Sequence, residues 1–357
     1  RRNAWCWIQG NWIAYPFQKH VGDIADPALR AACIAGMAAA SDGSDAMHFD
    51  AYIEARFGNA VADVFMRPYN RKLWGQNLSR LTKDWTGERV AGPLGQPEHF
   101  VQSGGNRTPL QAETTIAYPA QGGFGGIFDA LAQRLTDLRF GCAVVAIDPM
   151  ARVLTTRCGQ SFGWEQLVST LPLPALLDIV AGIPAHIRQA AALLEPIPVD
   201  LVMVALEGRG PMERQRIYCP DADMPGHKIV LNHTSSNWLR GCARHGIQVE
   251  VSGAARPPEK LVDRVVENLV RIGLIGNAGE VRRAEVIKLA RGYPAPTHAR
   301  DRVIRDVRDW LAARGIYICG RFAEWAYINA DEALARGLNL GQRLDAGVLD
   351  ASGAEYA

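Results

Sequence analysis

The stretch "IYICGRFAEWAYINADEALARG", residues 316–337, decides the fold. Ile316, Tyr317, Ile318 and Cys319 read as a short buried strand that breaks at Gly320-Arg321. The chain then crosses Phe322, Trp325 and Tyr327, and a helical pattern resumes at Asp331. A strand that stops on glycine ahead of a helix N-terminus suits an anionic ligand, because backbone amides and the helix dipole point at it. No G-x-G-x-x-G unit follows a strand anywhere in the chain. The nearest cluster, Gly122, Gly123, Gly125 and Gly126, has another spacing and follows Tyr118-Pro119. Two readings stay open for it: a plain helix-entry loop, or a loop whose backbone approaches a ligand.

Bulk properties narrow the class. A chain of 357 residues has length for about two domains. Its 48% hydrophobic and 21% charged content is that of an ordinary globular protein. A net charge of +2, with no dense basic run, argues against a nucleic-acid partner. No apolar stretch is long enough to span a bilayer, so no membrane association is expected. Seven cysteines at irregular spacing, without CxxC or HExxH, point to buried reduced thiols in a cytoplasmic protein, with no metal site.

Local patterns divide the chain into three textures. "WCWIQGNWIAYPFQ" (5–18) reads as two strands joined by a Gly10-Asn11 turn. Asp26 and Pro27 mark the N-cap and first residue of an alanine-rich helix, and helices follow near 48–57 and 60–73. Residues 117–135 form a glycine-rich loop and a helix with Ile127, Phe128, Leu131 and Leu135 on one face. Residues 142–156 read as a hairpin turning at Asp148-Pro149, and "EQLVST" as a strand leading to a helix. "PVDLVMVALEG" is another strand, 216–256 alternate as in antiparallel sheet, and "KLVDRVVENLVRIGLI" and 301–313 are helices.

Several residues stand out for chemistry, each with a plain alternative. Arg67, Arg71 and Lys72 in "ADVFMRPYNRKLWG" suit a ligand or a solvated helix end. Arg89 beside Glu88 suits an anion site or a surface ion pair. Tyr218 and Lys228, ten residues apart, either face one pocket across a hairpin or are ordinary cross-strand partners. Tyr15, Phe17, Tyr293, Trp325 and Tyr327 would otherwise be core aromatics.

Eight blocks, "YPFQ", "VADVFMRPYNRKLWG", "TGERVAGP", "YPAQGGFGGI", "LVST", "IYCPD", "RGYPAPT" and "GRFAEWAY", occur in the order found in UDP-galactopyranose mutases of the eukaryotic type, which the chain resembles from residue 1 to about 345. More distantly it resembles the flavin amine oxidase and protoporphyrinogen oxidase group. The resemblance implies a mixed α/β (α+β) fold: a discontinuous, Rossmann-like FAD-binding domain, a helical insertion and a twisted antiparallel sheet domain. Residues 1–18 and 190–299 would form the sheet domain, 19–116 the helical insertion and linker, 117–189 and 300–345 the pieces of the FAD domain, and 346–357 a tail. The family's first βαβ unit, about 30 residues, has no counterpart here, so the chain as given is expected to bind FAD poorly, to aggregate and to be inactive.

The activity implied is an isomerase reaction of galactofuranose supply for cell-wall and glycan biosynthesis: reduced FAD attacks the anomeric carbon of UDP-galactopyranose through N5, UDP leaves, and the flavin–sugar adduct opens and recloses as the furanose. By resemblance Arg89, Lys228, Tyr218, Tyr293 and Tyr327 form the catalytic diphosphate site. Tyr15, Phe17 and Gln18 meet uridine, and Gly122, Gly123, Gly125, Gly320 and Arg321 hold FAD. Lys228 stands where the family has arginine, which keeps the charge and loses the bidentate fork. The family's asparagine ahead of the "YP" block has no clean counterpart; the region carries Glu113 instead. The implied partners are a UDP-sugar and NAD(P)H or another reductant, and a homo-oligomer is compatible with them. Two alternatives remain: an FAD-dependent oxidoreductase of the amine oxidase type, and a non-catalytic flavoprotein-like chain.

Overall fold

The computed structural model describes residues 3–75, 77–87, 89–93, 117–208, 214–242, 244–253 and 257–347. Within them the chain is mixed α/β, as its sequence predicts. They fall in two units: one drawn from Arg1–Val101, Asn106–Leu135 and Ile197–Tyr293, the other from Thr136–Pro196 and Pro294–Ala357. The helical segment near the start of the chain and the large sheet belong to the same unit.

The first unit opens with β1 (Ala4–Ile8), β2 (Asn11–Ala14), α1 (Pro27–Ala38), α2 (Phe49–Val61), α3 (Arg67–Trp74) and a short α4 (Gly126–Ala132). The second unit supplies β3 (Val144–Asp148), β4 (Val153–Thr156), β5 (Ser161–Gly163), β6 (Leu167–Ser169), α5 (Leu173–Ile179) and α6 (Ala185–Ala191). The chain returns to the first unit for β7 (Pro196–Glu207), β8 (Arg216–Tyr218), β9 (Lys228–Leu231), α7 (Asn237–Gly241), β10 (Arg244–Ser252), α8 (Pro258–Arg271) and β11 (Val281–Pro294). It finishes the second with α9 (Arg300–Ala312), β12 (Ile316–Ile318) and α10 (Ala330–Asp345).

Local chemistry sets the boundaries. Asp26 caps α1, its carboxylate accepting from the amides of Ala28 and Leu29, with Pro27 behind it. The hairpin closes one residue earlier than expected: Ile8 pairs with Asn11, so Gln9 and Gly10 form the turn. Both have positive φ, +48° and +81°, as a two-residue hairpin loop with the strands' own twist requires. Gly58 breaks α2 at φ +72°, and a π-helical turn over Ala62–Met66 joins α2 to α3. There α1 and α2 touch backbone to backbone: a Cβ added to Gly58 would lie 2.6 Å from the carbonyl carbon of Gly36.

Seven strands of the first unit form one sheet in the order β11-β7-β10-β9-β8-β1-β2. Pairing is antiparallel between β7, β10, β9 and β8, whereas β1 joins β8 in parallel. Strand side chains alternate between faces. Val202, Val204, Ile217, Ile229, Leu231, Ile247 and Val249 therefore share one face, and they pack with Leu261, Val265 and Leu269 of α8 in one core. In the second unit β6 and β12 pair in parallel, with α5, α6 and α9 supplying Leu173, Leu176, Ile187, Val303, Val307 and Leu311 to a separate core.

Some expectations need correction. The expected hairpin at 142–156 is there, but β5 extends it to three strands. The apolar face of α4 does not enter a core: Ile127, Phe128, Leu131 and Leu135 are all exposed. The seven cysteines are free thiols, but only Cys6, Cys33, Cys219 and Cys319 are buried. Among the described residues no helix is long and apolar enough to cross a membrane.

The Gly36–Gly58 crossing gives a direct stability test. Gly58→Ala meets both the positive φ and the Gly36 backbone, and should cost more than about 1 kcal/mol. Gly22→Ala, at ordinary φ with nothing within 4 Å of its Cβ, should leave the urea midpoint unchanged. Equal midpoints for the two variants would contradict the crossing.

Candidate functional site

The face of the sheet turned away from α8 carries the candidate site of the first unit. Tyr218 and Lys228 are direct partners across β8 and β9, and Lys228 is the direct partner of Glu250 across β9 and β10. The three side chains thus form one row, because in-register partners share a face. The plain reading of the Tyr218–Lys228 spacing holds: they are cross-strand neighbours, and their side chains therefore share a face.

Glu250 is the centre of this row. Its carboxylate accepts from Lys228 Nζ at 2.7 Å, from Tyr293 Oη at 2.7 Å and from Gln248 Nε2 at 3.3 Å. His227 Nε2 lies 3.6 Å away. Burial pushes the Glu250 carboxyl up, but the Lys228 charge and the His227 contact outweigh it and hold the group well below the ordinary carboxylate range. Burial also pulls the His227 imidazole below its usual value, which keeps the ring neutral near pH 7. Sequence reasoning missed both residues. The signal available was alternation: in "IQVEVS" (247–252) Gln248, Glu250 and Ser252 fall opposite the apolar positions.

Aromatic groups frame the row. The Tyr15 ring stacks on Tyr218 with centroids 4.3 Å apart at 22°, and Tyr69 of α3 meets Tyr218 edge-on at 5.7 Å. Trp74 of α3 meets Tyr293 at 6.1 Å. Phe17 is fully buried against Phe65 at 5.1 Å, so its ring is core and presents nothing to a ligand as it stands. Gln18 is buried too: its Nε2 donates to the Ala91 carbonyl at 2.7 Å, and its Oε1 has no hydrogen-bond partner among the described residues. Arg89 is half-buried in a turn whose amide donates to the Thr86 carbonyl at 3.0 Å. Its neighbour Glu88 and the Glu113 region lie outside the described residues.

Two of the three cations of "ADVFMRPYNRKLWG", Arg67 and Lys72, are taken up within the fold, whereas Arg71 is exposed at the end of α3. Arg67 bonds Asp50, Glu54 and Asp63 at 3.0, 2.6 and 2.8 Å. Lys72 Nζ donates to the carbonyls of Cys219, Asp221 and Gly226 at 2.7, 3.0 and 2.7 Å. Gly122, Gly123 and Gly125 precede α4, the first two at φ +77° and +68°; an added Cβ would meet nothing at Gly123 or Gly125.

The remaining candidates lie in the second unit. Gly320 adopts φ +95°, and its amide donates to Glu324 Oε1 at 2.7 Å. The strand therefore does not feed a helix directly: a turn follows, and α10 begins ten residues after Gly320, at Ala330. Arg336 pairs with the other oxygen of Glu324. Arg321 Nη1 donates to the Ile328 carbonyl at 2.6 Å, and its guanidinium lies 5.0 Å from the Tyr327 ring centroid. The N-cap residue of α10, Asn329, makes no side-chain capping hydrogen bond. Among the described residues no group of three or more His, Cys, Asp or Glu is placed to hold a metal ion.

No protein-family model matches the chain. Its fold is shared with solved structures. The crystal structure of reduced UDP-galactopyranose mutase superposes with a TM-score of 0.85 at 22% identity, covering 100% of this chain and 80% of the other. A protein of Exiguobacterium sp. 255-15 assigned as a protoporphyrinogen oxidase gives 0.69 at 15% identity, over 97% and 82% of the two chains. A fatty acid isomerase from P. acnes that produces CLA gives 0.62 at 12%, over 96% and 80%. Identities this low establish a common fold.

Glu250 makes the unit acid-sensitive. Its folded value is depressed, so its contribution is complete above the ordinary glutamate value, about 4.3, and is lost as pH falls through the folded one. The stability gap between the wild type and Glu250→Gln should be widest at pH 7 and narrower at pH 3. Urea melts at both values check this; a gap of constant size contradicts it.

Proposed function

We propose that the protein is a flavin-dependent enzyme acting on a nucleotide sugar, and that its reaction is the interconversion of UDP-galactopyranose and UDP-galactofuranose. The observation that carries this reading is the meeting of Tyr218, Lys228 and Tyr293. Three side chains assigned by resemblance to one diphosphate site come from β8, β9 and β11; Tyr218 and Lys228 are neighbours in register, and Lys228 and Tyr293 share one carboxylate.

FAD is the cofactor this reading requires, and the residues of the second unit fit an anionic one. Among the described residues nothing stands where a Cβ of residue 320 would lie, Arg321 lies beside Tyr327, and the N-cap residue of α10, Asn329, makes no capping bond to the first turn. Glu324 already holds the Gly320 amide, so Arg321 and the α10 terminus would make the contacts. When bound and reduced, FAD would supply the nucleophile for the anomeric carbon. The protein's own part is electrostatic. Arg89 and Lys228 would neutralise the diphosphate as it becomes the leaving group. Tyr218 would donate a hydroxyl hydrogen bond to its oxygens, Tyr293, whose hydroxyl is given to Glu250, would brace the carboxylate behind Lys228, and Tyr15 would stack toward uridine.

Two measurements test the reading. Fused behind a family-type βαβ unit and incubated with UDP-galactofuranose, FAD and dithionite, the chain should form UDP-galactopyranose only while reduced, without consuming reductant in proportion to product. Turnover with oxidised FAD, or one NADPH spent per product, would move the protein to the oxidoreductase class. Arg89→Ala should weaken UDP binding by about 1.5–3 kcal/mol, the value of a charge-assisted contact; unchanged affinity by calorimetry would remove Arg89 from the site.

A further inference from the structure

We propose that Glu250 is the positioning residue of the candidate phosphate site, fixed by the Tyr293 hydroxyl on one oxygen and holding the Lys228 ammonium with the other, and acting on a diphosphate through Lys228. The inference rests on the function proposed above for its ligand, and on geometry alone for its core.

Glu250 sits on β10, between its two strongest partners. Lys228 comes from the adjacent β9, and Tyr293 from β11, two strands away in the other direction. A carboxylate is acceptor-only, with two oxygens able to take several donors. Here one oxygen takes Lys228 at 2.7 Å and Gln248 at 3.3 Å, and the other takes Tyr293 at 2.7 Å. His227 adds a neutral ring edge at 3.6 Å from that second oxygen. The burial order decides how the group works. The Glu250 side chain is 9% exposed and that of Lys228 is 22%, so the carboxylate lies behind the ammonium rather than in front of it. An ammonium has three donors; one is used on Glu250, and the others can face a ligand on the open side. A lysine stem is flexible where an arginine fork is preorganised. The buried carboxylate supplies the missing preorganisation, and it also draws in a tyrosine from a distant strand.

A purely structural carboxylate would affect stability and leave ligand coupling alone. A carboxylate competing for Lys228 would weaken anion binding, and its removal would strengthen it. The positioning role is separated from both by a double-mutant cycle on the full chain with Glu250→Gln, Lys228→Met and the double variant. UDP affinity is read by calorimetry, and hydrogen exchange of the Lys228 ammonium by 15N NMR. Each single change should weaken UDP binding about 10-fold, and the double variant should be no worse than the weaker single one, because both remove the same interaction. The Lys228 ammonium protons should exchange slowly in the wild type and fast in Glu250→Gln. Additive losses, tighter UDP binding by Glu250→Gln, or identical ammonium exchange would each overturn the proposal. If the wild type binds no UDP, the functional reading fails and the exchange measurement decides the positioning role by itself. Should Glu250→Gln not fold, Glu250→Asp, which keeps the charge and shortens the reach, is read by the same two measurements.

Discussion

A sheet buried on one face has no freedom about what appears on the other. Once Ile217, Ile229, Leu231, Ile247 and Val249 turn toward α8, the intervening residues must turn away, and a slip of one residue would reverse every side chain. Register then makes Tyr218, Lys228 and Glu250 neighbours across three strands. The hydrophobic core under the sheet and the polar row above it are therefore one constraint seen from two sides. The candidate site is as stable as the apolar packing that fixes its register.

The fate of the cations follows from how well each is neutralised. A charge drawn from water needs a partner of opposite sign or a set of well-placed dipoles. Arg67 has three carboxylates, Lys72 three carbonyls, and Lys228 one carboxylate shared with a tyrosine. Density of basic residues along the chain therefore says little about where an anion binds. The two most conspicuous cations of the 62–75 segment are saturated by the protein itself, whereas Lys228, inconspicuous in its strand, keeps part of its surface exposed.

Legibility in the sequence tracks how local the deciding physics is. The α1 cap at Asp26 and the β1–β2 hairpin were readable because a cap and a tight turn are chosen by adjacent residues; the one-residue error in the turn arose because Gln9, an unusual residue for positive φ, occupies a position that glycine or asparagine normally fills. The edge strand β11 and helix α6 show no readable period in the sequence. β11 carries Arg282, Arg283, Lys288 and Arg291 on largely exposed positions, which masks alternation, although charge is common on strands that must not pair further. α6 spans only seven residues, too few for a period of 3.6 to show. Of the candidate site, the tyrosines and Lys228 could be named from the sequence. Glu250 could not, because its importance depends on which strands lie beside β10, and strand order is a non-local property. The Gly320 turn was legible as a break, but not the occupation of its amide by Glu324, a contact that only the folded turn creates.

The Lys72 ammonium behaves as a counter-ion on a leash. The loop between Tyr218 and Lys228 turns three carbonyls toward a single positive charge, and that charge comes from a helix about 150 residues earlier in the chain. Each residue along a helix turns the side-chain direction by about 100°. The angular phase of α3 is thereby coupled to the shape of a β-hairpin it does not adjoin in sequence: an insertion or deletion of one residue between Arg67 and Lys72 would swing the ammonium off its carbonyls while leaving both the helix and the hairpin individually well formed. Homologous chains are therefore expected to keep the helical spacing that aims this one amine, and with it the course of the loop, to which Asp221, Met224 and Gly226 add contacts of their own.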